Sequence, residues 1–174
     1  MQLYTELDGL KIKYDEYGSD NQTHVLFIHG LGSSSLVWRD TPQALSENFH
    51  TISIDLVGFG GSDAPELDYT IDYFSKFVKS FLKQIGIPEQ DKIIIGHSLG
   101  GYIATEYALQ NPEKIEKLIL IDSSGMLTQP TPLLQQYLEA VLESDSKLRR
   151  NKVKSVFERM YAHPELLLPI VVDL

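Results

Sequence analysis

Residues 93–101, Ile93-Ile94-Ile95-Gly96-His97-Ser98-Leu99-Gly100-Gly101, set a serine between two glycines directly after three β-branched residues. The apolar run predicts a buried strand. Gly101 to Gln110 predicts a helix, with Ala104 and Ala108 on one side letting it lie close to a sheet and Asn111-Pro112 stopping it. A serine on a sharp turn between strand and helix is placed for chemistry. An alcohol is a weak nucleophile at neutral pH and must hand its proton to a base as it attacks. Gly-x-Ser-x-Gly in this context holds the serine on strained backbone, with the flanking glycines avoiding clashes, so that its hydroxyl projects above the sheet. The helix start then aims backbone N–H groups at an oxyanion formed nearby. A serine that only capped the helix would not require glycine on both flanks. His97 is adjacent to Ser98, and neighbouring residues at such a turn point in different directions, so it reads as a packing or shaping residue and not as the base.

Outward from this stretch the chain alternates strands and helices. Gln2 to Leu7 and Leu10 to Tyr17 alternate polar and apolar around Asp8-Gly9, a hairpin pattern. His24 to Ile28, Lys92 to Ile95 and Lys117 to Ile121 are apolar without alternation, as in a parallel sheet covered on both faces, and Thr51 to Asp55 makes a further strand. Thr70 to Ile85 carries Phe74, Phe77, Val78, Phe81, Leu82 and Ile85 at helical spacing, with Thr70 placed to cap its start and Gly86 and Pro88 to end it. The expected fold class is therefore α/β, a doubly wound and mostly parallel sheet with flanking helices.

From Gly125 the texture changes. After the break Thr128-Gln129-Pro130-Thr131-Pro132, one amphipathic helix is expected from Leu133, Leu134, Tyr137, Leu138, Val141 and Leu142, and another from Val153, Val156, Phe157, Met160 and Tyr161. Residues 1–125 thus read as a core and 126–174 as a helical segment.

Composition narrows the function. The 174 residues are the length of one domain, and 24 acidic against 15 basic residues give a formal charge of −9, which argues against nucleic acid and anionic membranes as partners. Without cysteine there is no disulfide and no thiolate chemistry. The start, MQLYTELDGLK, lacks a signal-peptide layout, and no apolar run reaches the roughly 20 residues of a membrane span, so a soluble cytoplasmic location is the expectation.

Two further loops complete the pattern. His29-Gly30-Leu31-Gly32-Ser33-Ser34-Ser35 follows the first buried strand, and an N–H from this loop, that of Leu31, would pair with the Leu99 N–H as an oxyanion hole. Asp55-Leu56-Val57-Gly58-Phe59-Gly60-Gly61-Ser62-Asp63 ends the next strand and shapes the same rim. FIHGLGSS, DLVGFGGSD, GHSLGG and LILIDSSG, in this order and spacing, resemble the α/β-hydrolase family. The resemblance covers about Gly9 to Gly125, with the later helices similar to the start of the family's cap. It implies a sheet of about eight strands, Ser98 as nucleophile, the Leu31 and Leu99 amides as oxyanion donors, no cofactor or metal, and small ester or related acyl substrates. Val57 stands where many relatives carry proline.

The same resemblance implies an acid and a histidine after the serine, and neither is evident. His163, beside Pro164, is the single later histidine and does not suit the base. Asp122, ending the strand Lys117 to Ile121, reads either as the acid or as a polar strand end binding loop amides. On this reading the C-terminal strands are missing and the cap is partial. The chain alone is expected to be weak or inactive, with the Lys117 to Ile121 edge open to self-association or to a C-terminal partner segment.

Two alternatives belong to other classes. One is a non-catalytic relative binding a small molecule. The other is a dinucleotide-binding domain, in which Gly30-Leu31-Gly32-Ser33-Ser34-Ser35 holds the phosphates and Asp55 the ribose, although Ser35 stands at the third glycine and GHSLGG is left unexplained.

Overall fold

The strand preceding Ser98 lies within a six-stranded sheet. The computed structural model describes residues 1–126, 129 and 131–160, and the chain divides into two units, Met1–Met126 and Leu127–Leu174. In the first, β1 (Gln2–Leu7), β2 (Leu10–Tyr17), β3 (His24–Ile28), β4 (His50–Ile54), β5 (Lys92–His97) and β6 (Ile115–Ile121) lie in the order β1-β2-β4-β3-β5-β6. β3 pairs in parallel with β4 and β5, and β5 with β6. The β1–β2 hairpin joins this parallel set through the antiparallel pair β2–β4. Its turn, Asp8-Gly9, has φ of 52° and 78°, the double positive φ that a two-residue hairpin turn requires.

The unbroken apolar strands are explained by helices on both faces. Successive residues of a strand point to opposite sides. Leu26 and Ile28 of β3, Ile52 and Ile54 of β4 and Ile94 of β5 therefore pack with α2 (Ile71–Gln84) and α3 (Leu99–Gln110). Val25, Phe27, Ile93 and Ile95 pack on the other side with Trp38, Phe49 and Leu45 of the short helix α1 (Asp40–Leu45). This is the doubly wound arrangement expected. The Thr70 side chain accepts the Tyr73 amide at 3.1 Å and caps α2. α1 and the 3-10 turns Ser35–Val37 and Pro112–Lys114 were not expected, because elements this short carry too few residues to show a period.

β6 departs from expectation. Its apolar run reads as buried on both faces, yet Ile119 and Ile121 are 42% and 40% exposed. Leu118 and Leu120 pack into the α2–α3 side of the core, whereas the opposite face of β6 is uncovered by the described residues. The sheet is likewise six-stranded among the described residues, not the larger sheet the resemblance implies.

β3 lies between β4 and β5, and the chain leaves β3 and β5 toward helices on opposite faces. The loops after these two strands lie at the carboxyl ends of the sheet, the end at which open α/β sheets bind their ligands. In the second unit, α4 (Pro132–Val141) is capped by Thr131, whose Oγ1 accepts the Leu134 amide at 3.3 Å. α4 packs with α5 (Ser146–Met160), joined by Arg159 Nη1 donating to Gln136 Oε1 at 2.7 Å. Thr128, Pro130, Tyr161 and His163, all named in the sequence reading, lie outside the described residues.

Candidate active site

Ser98 stands at the carboxyl end of β5 with φ 52° and ψ −117°. This backbone is sparsely populated for any residue with a Cβ and costs of order 1–3 kcal/mol. The surroundings over-determine it. The Ser98 amide donates to the Ile121 carbonyl at 3.1 Å, and its carbonyl accepts the Gly101 and Ser124 amides, each at 3.0 Å. Its neighbours also leave room for backbone alone. A Cβ on Gly96 would overlap the Gly100 carbonyl, and one on Gly100 would overlap the Ile28 and His29 carbonyl oxygens. The two flanking glycines of the motif are thus required by contact between β5, the turn, the start of α3 and β3.

The loop after β3 meets this turn. A Cβ on Gly30 would lie 3.1 Å from Ser98 Cβ and 3.1 Å from His97 Nδ1, which places the residue before Leu31 against the serine. The amides of Leu31 and Leu99, the two expected oxyanion donors, donate to no described residue. Leu99 adjoins Ser98 in sequence, and Leu31 follows the glycine that packs against it.

Behind this loop, Asp55 organises a buried network. The residue is 0% exposed. Its Oδ1 accepts the Ser35 amide at 2.6 Å, and its Oδ2 accepts the Gly61 amide at 2.8 Å and Lys13 Nζ at 3.1 Å. Lys13 Nζ also donates to Ser35 Oγ at 3.0 Å, and that hydroxyl donates to Asp15 Oδ2 at 3.0 Å. Burial alone would raise the Asp55 carboxyl. The Gly61 and Ser35 amides, the Ser35 side chain and the Lys13 charge outweigh it and hold the group below its ordinary value. The dinucleotide alternative fails here, because both oxygens meant for a ribose are engaged inside the protein.

The acid and base are distributed as follows. Asp122 follows β6, has φ 44° and is exposed. It accepts no hydrogen bond from the described residues. Its charge favours the protonated form of His97, but burial dominates and lowers the His97 value. His97 Nδ1 is buried against Gly30 with no partner among the described residues, consistent with packing. His24 and His50 begin β3 and β4, at the opposite end of the sheet, where their Nδ1 atoms lie 2.9 Å apart. His29 is fully buried with both ring nitrogens bonded. No described histidine is hydrogen-bonded to Ser98. Among the described residues no group of three His, Cys, Asp or Glu side chains is placed to hold a metal, and no helix is long and apolar enough to cross a membrane.

Sequence reasoning missed the work of His29, Lys13 and Asp55 behind the loops. The signal for His29 was its position between a buried strand and the first loop glycine. Lys13 carried none, since a lysine in an alternating hairpin reads as exposed.

Compared with known proteins, the chain matches the sequence model of the alpha/beta hydrolase fold over residues 23–163. The chain belongs to the α/β-hydrolase fold family. Among curated relatives it is 30% identical to an uncharacterized hydrolase, YugF, of Bacillus subtilis, over 74% of this chain and 46% of that protein. It is 33% identical to the (lyso)-N-acylphosphatidylethanolamine lipase of Mus musculus, over 64% of this chain and 33% of the lipase. Among solved structures, a membrane phospholipase A described as a bacterial virulence factor superposes with a TM-score of 0.78 at 26% identity, covering 99% of this chain and 58% of that one. A hydrolase from Pseudomonas aeruginosa, at 21% identity and a TM-score of 0.76, shares the fold and covers 98% of this chain and 66% of its own. This α/β-hydrolase chain thus spans less than half the length of these two curated relatives.

Proposed function

We propose that this chain carries the nucleophile and the oxyanion hole of a serine hydrolase acting on small ester or related acyl substrates. Ser98 Oγ attacks the acyl carbon, and the Leu31 and Leu99 amides receive the charge that develops on the carbonyl oxygen. One observation carries the reading. The serine occupies strained backbone at the carboxyl end of β5, held there by glycine contacts, with Leu99 next to it and the Gly30–Leu31 loop packed against it, and no described residue accepts either leucine amide. Strain maintained by its surroundings at a nucleophile is a mark of a functional site. Similarity to a lipase in the curated comparison supports an acyl substrate.

Asp122 is the candidate acid, one residue beyond the carbonyl that holds the Ser98 amide. Residues 126–174, whose described part carries α4 and α5, are the candidate cap, and the compartment we propose is the cytoplasm. Because no described histidine is hydrogen-bonded to Ser98, we propose that turnover by these residues alone is slow; an oxyanion hole without its base still leaves part of the catalysis.

The test is a fluorophosphonate probe with the adduct located by mass spectrometry. Labelling at Ser98 that disappears in Ser98→Ala supports the proposal. A chain left unlabelled, but thermally stabilised by small apolar esters equally with and without Ser98→Ala, belongs to the non-catalytic binding alternative.

A further inference from the structure

The hydrogen bonds of His29 reach the peptide unit that carries the Leu31 amide. His29 follows β3 and is fully buried. Its Nδ1 lies 2.8 Å from the Gly30 carbonyl oxygen, and its Nε2 lies 3.0 Å from the Leu56 amide. The carbonyl can only accept and the amide can only donate, so the ring is neutral, with its proton on Nδ1 and its lone pair on Nε2. Phe59 stacks edge-on at 5.6 Å between centroids and closes the ring's remaining freedom. The imidazole is thus anchored at the end of β4 and grips one atom of the loop after β3.

That atom belongs to the bond between Gly30 and Leu31. No peptide among the described residues is cis, and a trans peptide is planar with its C=O and N–H pointing in opposite directions. Fixing the Gly30 carbonyl toward the His29 ring therefore fixes the Leu31 N–H away from it. Gly30 cannot resist rotation by itself, since glycine lacks the Cβ that restricts backbone torsion. The same glycine cannot be replaced without displacing Ser98 or His97.

We propose that His29 is a positioning residue for the oxyanion hole, setting the direction of the Leu31 amide through the Gly30 carbonyl. This rests on the serine-hydrolase reading above. Its chemical content is preorganisation: a donor held in place costs no reorientation when the oxyanion forms. His29 touches no substrate, and its ring takes no part in proton transfer.

Two isosteric replacements separate this role from simple packing. In His29→Asn the amide nitrogen occupies the place of Nδ1 and still donates to Gly30, while the acceptor for Leu56 is lost. In His29→Gln the amide oxygen reaches the place of Nε2 and accepts from Leu56, while the donor to Gly30 is lost. The readout is the rate at which a fluorophosphonate labels Ser98, the Oγ–P bond forming as the P–F and O–H bonds break, with fluoride and the proton released to water, referred to folded protein. His29→Asn should stay within about threefold of the unmodified chain, and His29→Gln should fall about 10²-fold, the scale of one lost oxyanion donor. Equal losses in both variants, or none in His29→Gln, would overturn the proposal while leaving Ser98 the nucleophile. An unmodified chain that no phosphonate labels would reject the serine reading and this inference together. Should neither variant fold, imidazole nitrogen NMR shifts of the unmodified chain decide: proton on Nδ1 supports the lock, and proton on Nε2 refutes it.

Discussion

The Asp55 carboxylate accepts the backbone amide of Ser35 at 2.6 Å, across 20 residues of chain. Together with its bonds to Gly61 and Lys13, this single group ties the loop after β3, the loop after β4 and strand β2 to one another. Replacing it by Asp55→Asn keeps the shape, but it substitutes an amide for one charged oxygen and leaves Lys13 with the neutral Ser35 hydroxyl and, 3.9 Å away, Asp15 as its remaining carboxylate. Removing one member of a buried pair leaves an uncompensated charge, so a loss of about 3 kcal/mol is expected, read from the urea midpoint. A loss under about 0.5 kcal/mol, the scale of an ordinary surface substitution, would show that the network does not hold the loops.

The elbow itself should tolerate no added carbon. In Gly100→Ala the new methyl overlaps two carbonyl oxygens at the end of β3, so β5, α3 and β3 must separate. We expect about 3 kcal/mol of destabilisation, at the upper end of ordinary overpacking, together with loss of Ser98 labelling. An alanine variant with unchanged thermal midpoint would contradict the close approach of these backbones.

Strain at the nucleophile predicts the opposite effect for a different change. Ser98 holds φ 52° and ψ −117°, a conformation open to glycine. Ser98→Gly removes the hydroxyl and the strain together. It should abolish labelling while raising stability by about 1 kcal/mol, the relief of strain less the added freedom of the unfolded chain. Calorimetry on the two proteins provides the comparison, and a less stable glycine variant would mean that the backbone is not strained.

Acid should weaken the fold before its carboxylates titrate. His24, His29 and His97 are each held below the ordinary histidine value, in every case mainly by burial. The charges of His50 and Lys92 add to this at His24, whereas the Gly30 bond opposes it at His29 and the Asp122 charge opposes it at His97. A depressed histidine resists its proton in the folded state while the unfolded chain accepts it. The associated stability is present above the unfolded value, begins to fall as pH drops below it, and is gone below the folded value. The urea midpoint should therefore decrease between about pH 7.5 and pH 5.5, where Asp55, shifted downward, stays ionised. His24→Gln should flatten that slope by removing one of the three sites. A midpoint that rises toward pH 5.5 would reverse the assignment.

Legibility from the sequence followed local pattern. The hairpin at Asp8-Gly9, the buried strands β3 and β5, the capped helix α2 and the serine turn were readable because each is encoded by neighbours: a turn pair, an apolar run, a 3.6-residue period, a glycine spacing. α1 was too short to show its period, and the exposed face of β6 could not be told from a covered one by composition.

What the sequence determined by itself was the order of elements and the strained serine between glycines, since both arise from contacts within a few residues. What the tertiary structure alone decided was the company this serine keeps. Gly30 against Ser98, His29 bonded to the Gly30 and Leu56 backbones, and Asp55 joining Ser35, Gly61 and Lys13 all link residues of different strands and loops. Such contacts depend on the order in which strands enter the sheet, and no periodicity along one segment records that order.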